Sequence, residues 1–155
     1  MKKTHIRVQA LTFTITFLLG IAAFTNTADA QTTSSDLEGT WNTDYQKMIN
    51  GSNFASGFDF SAQPAQTKAH MKETFESRTF TFNADQTVTV AFSVRGNSKQ
   101  VDGTWSYVAS NRLLTILING ASVEYRTTLQ GSALSMEPLV LEANAVFKSL
   151  SLTKN

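Results

Sequence analysis

From Phe80 to Val94 the large apolar residues keep to even numbers. Phe80, Phe82, Val88, Val90, Phe92 and Val94 alternate mainly with Thr, Ser and Ala, which is the two-residue period of a strand with one buried face. Asn83-Ala84-Asp85-Gln86 interrupts the run, and the pattern resumes in the same parity, as in a tight β-hairpin. A second turn, read over Arg95 to Gln100, leads into a third strand that carries Gly103-Thr104-Trp105. Three such strands with one apolar face need a cover, so the rest of the chain must supply it.

The flanking segments are read as follows. Leu37-Glu38-Gly39-Thr40-Trp41 opens a first strand that extends at most to Tyr45. Between Gln46 and Ser77 the alternation disappears. Asn50-Gly51-Ser52-Asn53 reads as a turn, and Phe54, Phe58 and Phe60 stand among Gly, Ser and Ala. Ser61 to Glu76 reads as a helix entered at Pro64, with Ala65, Ala69, Lys72 and Phe75 or Ala65, Lys68, Met71 and Phe75 along a narrow stripe, lying on the sheet as a lid or plug. Beyond Trp105, Leu113 to Ile118 is apolar on both faces, and Asn119-Gly120 is a strong hairpin signal. Ala121 to Leu129 returns with Val123, Tyr125, Thr127 and Leu129 on one side. Ala133 to Met136 follows, with Pro138 ending that strand or placing it at an edge, and Val146 to Leu152 supplies the last strand.

Residues 1–30 have the layout of a secretory signal peptide: a basic head with Lys2, Lys3 and Arg7, an apolar stretch from Val8 to Phe24, and Ala28-Asp29-Ala30 as a cleavage site. Residues 31–36 read as a flexible leader and residues 37–155 as one domain. Cleavage would remove Lys2, Lys3, Arg7 and Asp29, so 13 basic and 12 acidic side chains become 10 and 11. The basic excess belongs to the export signal, and no clustered positive patch for nucleic acid remains. The chain has no cysteine, hence no disulfide, no thiol nucleophile and no acceptor for a lipid anchor. The expectation is a periplasmic or secreted protein with no stable membrane anchor after cleavage.

Turn signals every roughly 8–12 residues in an all-β chain indicate a sandwich or a barrel. Sequential hairpins without a long return favour an all-β, antiparallel up-and-down barrel of about eight strands, with a short helical insertion after the first strand. Such an interior is either filled by side chains or holds one small ligand. Leu37-Glu38-Gly39-Thr40-Trp41, the Phe-x-Phe-x-x-Asp-x-Thr pattern from Phe80 to Thr87, Gly103-Thr104-Trp105-Ser106-Tyr107 and the leucine-rich last strand together resemble the bacterial lipocalin-like domains. The resemblance implies that Gly39 and Trp41 seal the closed end of a barrel and that the interior holds a small hydrophobic ligand. In lipocalins an Arg from the last strand covers that Trp, whereas here the last strand offers Lys148 and Lys154.

Catalytic chemistry has little support in the sequence. His70 with Glu73 and Glu76 lacks the partner cluster that a zinc site needs, and the serines sit in no nucleophile elbow. Asp44, Asp59, Asp85, Asp102, Glu124 and Glu137 are scattered, with Asp85 and Asp102 beside turns. No glycine-rich phosphate cradle is present. The expectation is therefore a protein that is not an enzyme and that has neither metal nor cofactor. Its candidate ligand-binding residues are Phe80, Phe82, Val90, Phe92, Trp105, Tyr107 and Tyr125, with Phe54, Phe58 and Phe60 as a lid. The alternative is a filled barrel that contacts a protein partner of the cell envelope through those three phenylalanines.

Overall fold

The structure, a computed structural model, describes residues 32–50, 53–143 and 145–155. The signal peptide reading and the Gly51-Ser52 part of the expected turn lie outside them. Eight strands close into a barrel in chain order: β1 (Gly39–Thr43), β2 (Thr79–Phe82), β3 (Thr87–Val94), β4 (Asn97–Val108), β5 (Leu113–Ile118), β6 (Ala121–Gln130), β7 (Ala133–Pro138) and β8 (Leu150–Lys154). Every neighbouring pair is antiparallel, and β8 pairs with β1 to close the ring. Among the described residues every strand thus has a paired neighbour on both sides over part of its length, which covers most of the sheet's edge. Among the described residues no helix is long and apolar enough to cross a membrane.

The even-number pattern is the register of the barrel. Phe80 lies opposite Val90 and Phe82 opposite Val88, so one face of β2 and β3 points inward as a unit. The second turn is shorter than the sequence suggests: it is Arg95-Gly96 alone, with φ of 51° and 75°, and Asn97 to Gln100 already belong to β4. Asn119-Gly120 makes the same kind of turn, with φ of 51° and 81°. Two consecutive left-handed residues match the twist of the strands they join. Strand β4 pairs with β3 up to Thr104 and with β5 from Gly103 onward. The sheet turns its corner there, and Gly103 permits it: a Cβ at this position would collide with the carbonyl oxygen of Leu117 and stand 2.8 Å from Ile118 Cγ1.

The two ends of the barrel differ. The short turns β2–β3, β4–β5 and β6–β7 share one end with the start of β1 and the close of β8. Here Leu37, Trp41, Phe82, Leu114, Leu134, Met136 and Leu152 pack into a core shielded from bulk solvent. Residues 34–36, expected as part of a flexible leader, instead form the first turn of helix α1 (Ser34–Leu37). The Asp36 carboxylate accepts from the Thr33 backbone N–H at 2.7 Å and from its hydroxyl at 2.8 Å, and the turn carries Leu37 under the barrel. The Leu37 carbonyl then accepts the Trp41 indole N–H at 2.7 Å. Lys154 lies over the Trp41 ring, its Nζ 5.2 Å from the centroid, and the same ammonium donates to the Asp36 carbonyl. The closed end thus has a cation over its tryptophan, supplied by lysine rather than arginine. Gly39, at φ 111°, leaves space for the Lys154 stem, whose Cε would stand 3.2 Å from an added Cβ.

The other end carries both long connections. Between β1 and β2 run a short helix α2 (Tyr45–Asn50), which the sequence does not announce, and α3 (Ala65–Glu76), which begins four residues later than expected. Helix α3 rests on the end of β3, where the Gly96 N–H donates to the Glu73 carboxylate and the Ser93 N–H to the Ser77 hydroxyl. Residues 146–149, expected in the last strand, leave the barrel and pair with the insertion. Ala55 N–H donates to the Val146 carbonyl and Lys148 N–H to the Asn53 carbonyl. The Asn53 side chain donates to the Ser149 carbonyl and accepts from the Ser149 N–H and hydroxyl. The last barrel strand therefore starts only at Leu150.

Candidate functional site

A second, smaller core sits at this open end. Tyr45, Met48 and Phe147 are buried in it, with Ile49, Phe54, Met71 and Phe75 packed around them. Phe147 is its hub: its ring lies 4.9 Å from Phe75 edge to face and 5.2 Å from Phe54 in a stack. Phe54 in turn stacks on Phe58 at 5.7 Å and on Phe60 at 5.1 Å. The three phenylalanines of the insertion are thus packed on one another and on Phe147, half-buried over the mouth.

Beside this aromatic cluster opens a cavity of about 650 Å³. Its walls come from the end of α3 (Phe75), the start of β6 (Val123, Tyr125), the end of β7 (Pro138), the loop Leu139–Glu142, and the return through Val146, Phe147 and Leu150. The lining is mainly apolar, and the size is that of a small-molecule pocket. Along the loop, Leu139, Val140 and Leu141 are exposed, Val140 to 81%.

Arg78 is the cation among these walls, which also carry Glu124 and Glu142. It stands just ahead of β2 and continues its ladder, the Arg78 carbonyl accepting the Thr43 N–H at 3.0 Å. It therefore shares the inward parity of Phe80 and Phe82. The guanidinium carbon sits 4.6 Å from the Phe75 ring centroid and 5.7 Å from that of Phe92. Its Nε is buried without a hydrogen-bond partner. Among the described residues Arg78 makes no ion pair, the one salt bridge there being Lys72 with Glu76 at 3.1 Å. Burial pulls Arg78 below its ordinary value, with Tyr125 acting in the opposite sense. Burial also pushes the Tyr125 hydroxyl up, Arg78 draws it back, and Glu142 adds to the rise. At neutral pH the pair is a cation beside a protonated phenol.

Of the residues named from sequence, Tyr125 lines this cavity. Phe80, Phe82, Val90 and Trp105 are buried in the packed core of the barrel instead. Phe82 and Trp105 meet edge to face at 5.2 Å, and the Trp105 indole donates to the Asn83 carbonyl at 3.0 Å. Phe92 and Tyr107 pack against that core, the Tyr107 hydroxyl buried without a partner. Their inward parity is as read; Phe92 and Tyr107 are half-buried, and the cavity of about 650 Å³ lies beside the aromatic cluster at the mouth. Arg78, Phe75, Phe147 and the loop from Pro138 to Glu142 were missed. Arg78 did carry a signal, since it is a cation in register with Phe80 and Phe82. Among the described residues no group of three or more His, Cys, Asp or Glu is placed to hold a metal ion.

The family model described as "Lipocalin-like domain" matches residues 37–136 of the chain. No curated protein matches. Among solved structures, the crystal structure of a duf4847 family protein from Bacteroides vulgatus is similar, at 16% identity and a TM-score of 0.45, over 76% of this chain and 93% of that one.

Proposed function

Since the chain belongs to the lipocalin-like domain family, we propose that it is an exported, non-catalytic binding protein that holds a small lipophilic molecule at the mouth of its barrel. The observation that carries this reading is the cavity of about 650 Å³ walled by Phe75, Val123, Pro138, Val146, Phe147 and Leu150. Ordering apolar side chains around a space, rather than collapsing them into it, forgoes packing that a filled core would gain. A lipophile occupying the space restores those contacts and removes its own apolar surface from water, at about 25 cal/mol per Å². Export rests on the layout of residues 1–30.

Native mass spectrometry of the protein purified from its own source, followed by organic extraction, tests the reading. The expected result is one lipophilic molecule per chain, released by solvent. A bare chain mass, together with no binding across a panel of fatty acids and hydrophobic dyes, would sink it.

A second reading, a contact module for a protein partner, draws on Leu139, Val140 and Leu141, which put apolar surface into solvent at one rim. Replacing all three with Ser separates the two. A contact module binds no lipophile before or after the change and loses its partner with it, whereas a lipophile carrier binds lipophile and loses affinity because the loop is one wall of its cavity.

A further inference from the structure

A purely apolar occupant would give Arg78 nothing to bind. A guanidinium withdrawn from water costs several kcal/mol unless an anion or a set of acceptors compensates it. Here the compensation is partial: the rings of Phe75 and Phe92 approach the guanidinium carbon at 4.6 and 5.7 Å. A ring offers a guanidinium its electron-rich face but no hydrogen-bond acceptor for the five N–H groups that lie in the guanidinium plane. None of those N–H groups donates to a protein acceptor among the described residues, and Nε is fully buried. The in-plane edge is therefore what a planar anion would meet. The carboxylates on the cavity wall, Glu124 and Glu142, are exposed, and neither stands within ion-pair distance of Arg78.

The other features of the wall fit the same occupant. Tyr125 places a protonated hydroxyl in the same cavity, a second donor suited to an anionic head group. Phe147, Leu150, Pro138 and Leu139 offer an apolar track leading from this polar corner. Arg78 and Tyr125 beside an apolar track, with the exposed Glu124 and Glu142 on the same wall, are the complement of an amphiphile with a single charged end. A guanidinium edge takes a carboxylate through two parallel hydrogen bonds, which is the strongest neutralisation available to a buried arginine.

We propose that Arg78 is the head-group anchor of the mouth cavity: the ligand is an amphipathic carboxylate whose anion pairs with the Arg78 edge and the Tyr125 hydroxyl, and whose hydrocarbon tail lies along Phe147 and Leu150. This rests on the lipophile-binding reading and narrows its ligand to one chemical class. It also assigns a function to a buried cation whose Nε has no hydrogen-bond partner in the protein.

Three probes of equal chain length separate the possibilities: dodecanoate, dodecanol and dodecylammonium, titrated calorimetrically into the full mature chain. The expected order is dodecanoate at least tenfold tighter than dodecanol, with dodecylammonium weakest. In Arg78→Leu the dodecanoate-to-dodecanol ratio should fall to about one, and in Arg78→Lys it should be intermediate, because an ammonium keeps the charge without the fork. Thermal unfolding of ligand-free protein gives a second readout: Arg78→Leu should raise the Tm, since it removes an unneutralised buried cation. Equal binding of dodecanoate and dodecanol by the natural chain would overturn the anchor and leave the lipophile reading standing. A lowered Tm in Arg78→Leu with an unchanged ratio would also overturn the anchor, making Arg78 a packing residue. Failure of all three probes to bind would remove both readings.

Discussion

Gly103 shows how much a single position can decide. It is the point at which β4 leaves β3 for β5, and the Leu117 carbonyl occupies the space where a side chain would begin. Gly103→Ala should therefore cost about 1–3 kcal/mol, the usual penalty of forcing atoms into a filled site. Urea denaturation checks this, and an unchanged midpoint would mean that the corner relaxes freely. The Gly-Thr-Trp at this site is readable in the sequence as a motif, but its reason is not, because the colliding oxygen belongs to the next strand of the barrel. The same limit applies to the closed end. The resemblance to lipocalins places Gly39 and Trp41 at the closed end and leaves Lys148 and Lys154 as cations for the indole, but which of them covers it is decided only once β8 closes on β1. Arg78 is hard to see for a related reason: it follows a helix, and the parity that aims it inward belongs to β2, which begins only at the next residue.

Among the elements, the hairpins were the most legible because local chemistry determines them. In the β2–β3 turn, the Asp85 carboxylate accepts the Thr87 hydroxyl at 2.6 Å and the Thr87 N–H at 3.0 Å. Those bonds hold its carboxyl below the usual carboxylate range, the Thr87 hydroxyl foremost. A carboxyl whose value is depressed by folding stabilises the native state above its unfolded value of about 3.9 and loses that effect as pH falls through the folded value. The stability gap between the natural chain and Asp85→Asn should thus be present at neutral pH and close between about pH 4 and the lower folded value. Urea midpoints taken across that range measure it, and a gap independent of pH would refute a role for the charge. Elements fixed by distant partners were harder to read. Helix α2 buries Tyr45 and Met48 against Phe147, far along the chain, and nothing in its own short sequence marks it. Residues 146–149 carry strand-like alternation, yet they pair with Asn53 and Ala55 because the Phe54–Phe147 stack draws them out of the barrel.

At the scale of the whole molecule the protein has two cores with different supports. The barrel core is tied by a closed ring of eight strand pairs, while the mouth core is held by the aromatic cluster around Phe147 and a few bonds to Asn53. Phe147→Ala removes the hub, at a cost of about 3–5 kcal/mol for a buried phenylalanine. The loss should fall on the mouth alone. Hydrogen exchange should quicken across α2, α3 and residues 146–149 while β3 to β6 keep their protection, because local opening draws on local contacts. Uniform acceleration would show that the two cores unfold as one. The barrel was predictable as a whole because its pattern is repeated strand after strand; the cavity was not, because it lies where that repetition stops. The same polarity has a practical side. The start of β1 and the last residue, whose N–H donates to the Thr40 carbonyl, both lie at the sealed end. A tag fused after Asn155 would therefore hold the protein from its sealed end, on the side away from the mouth.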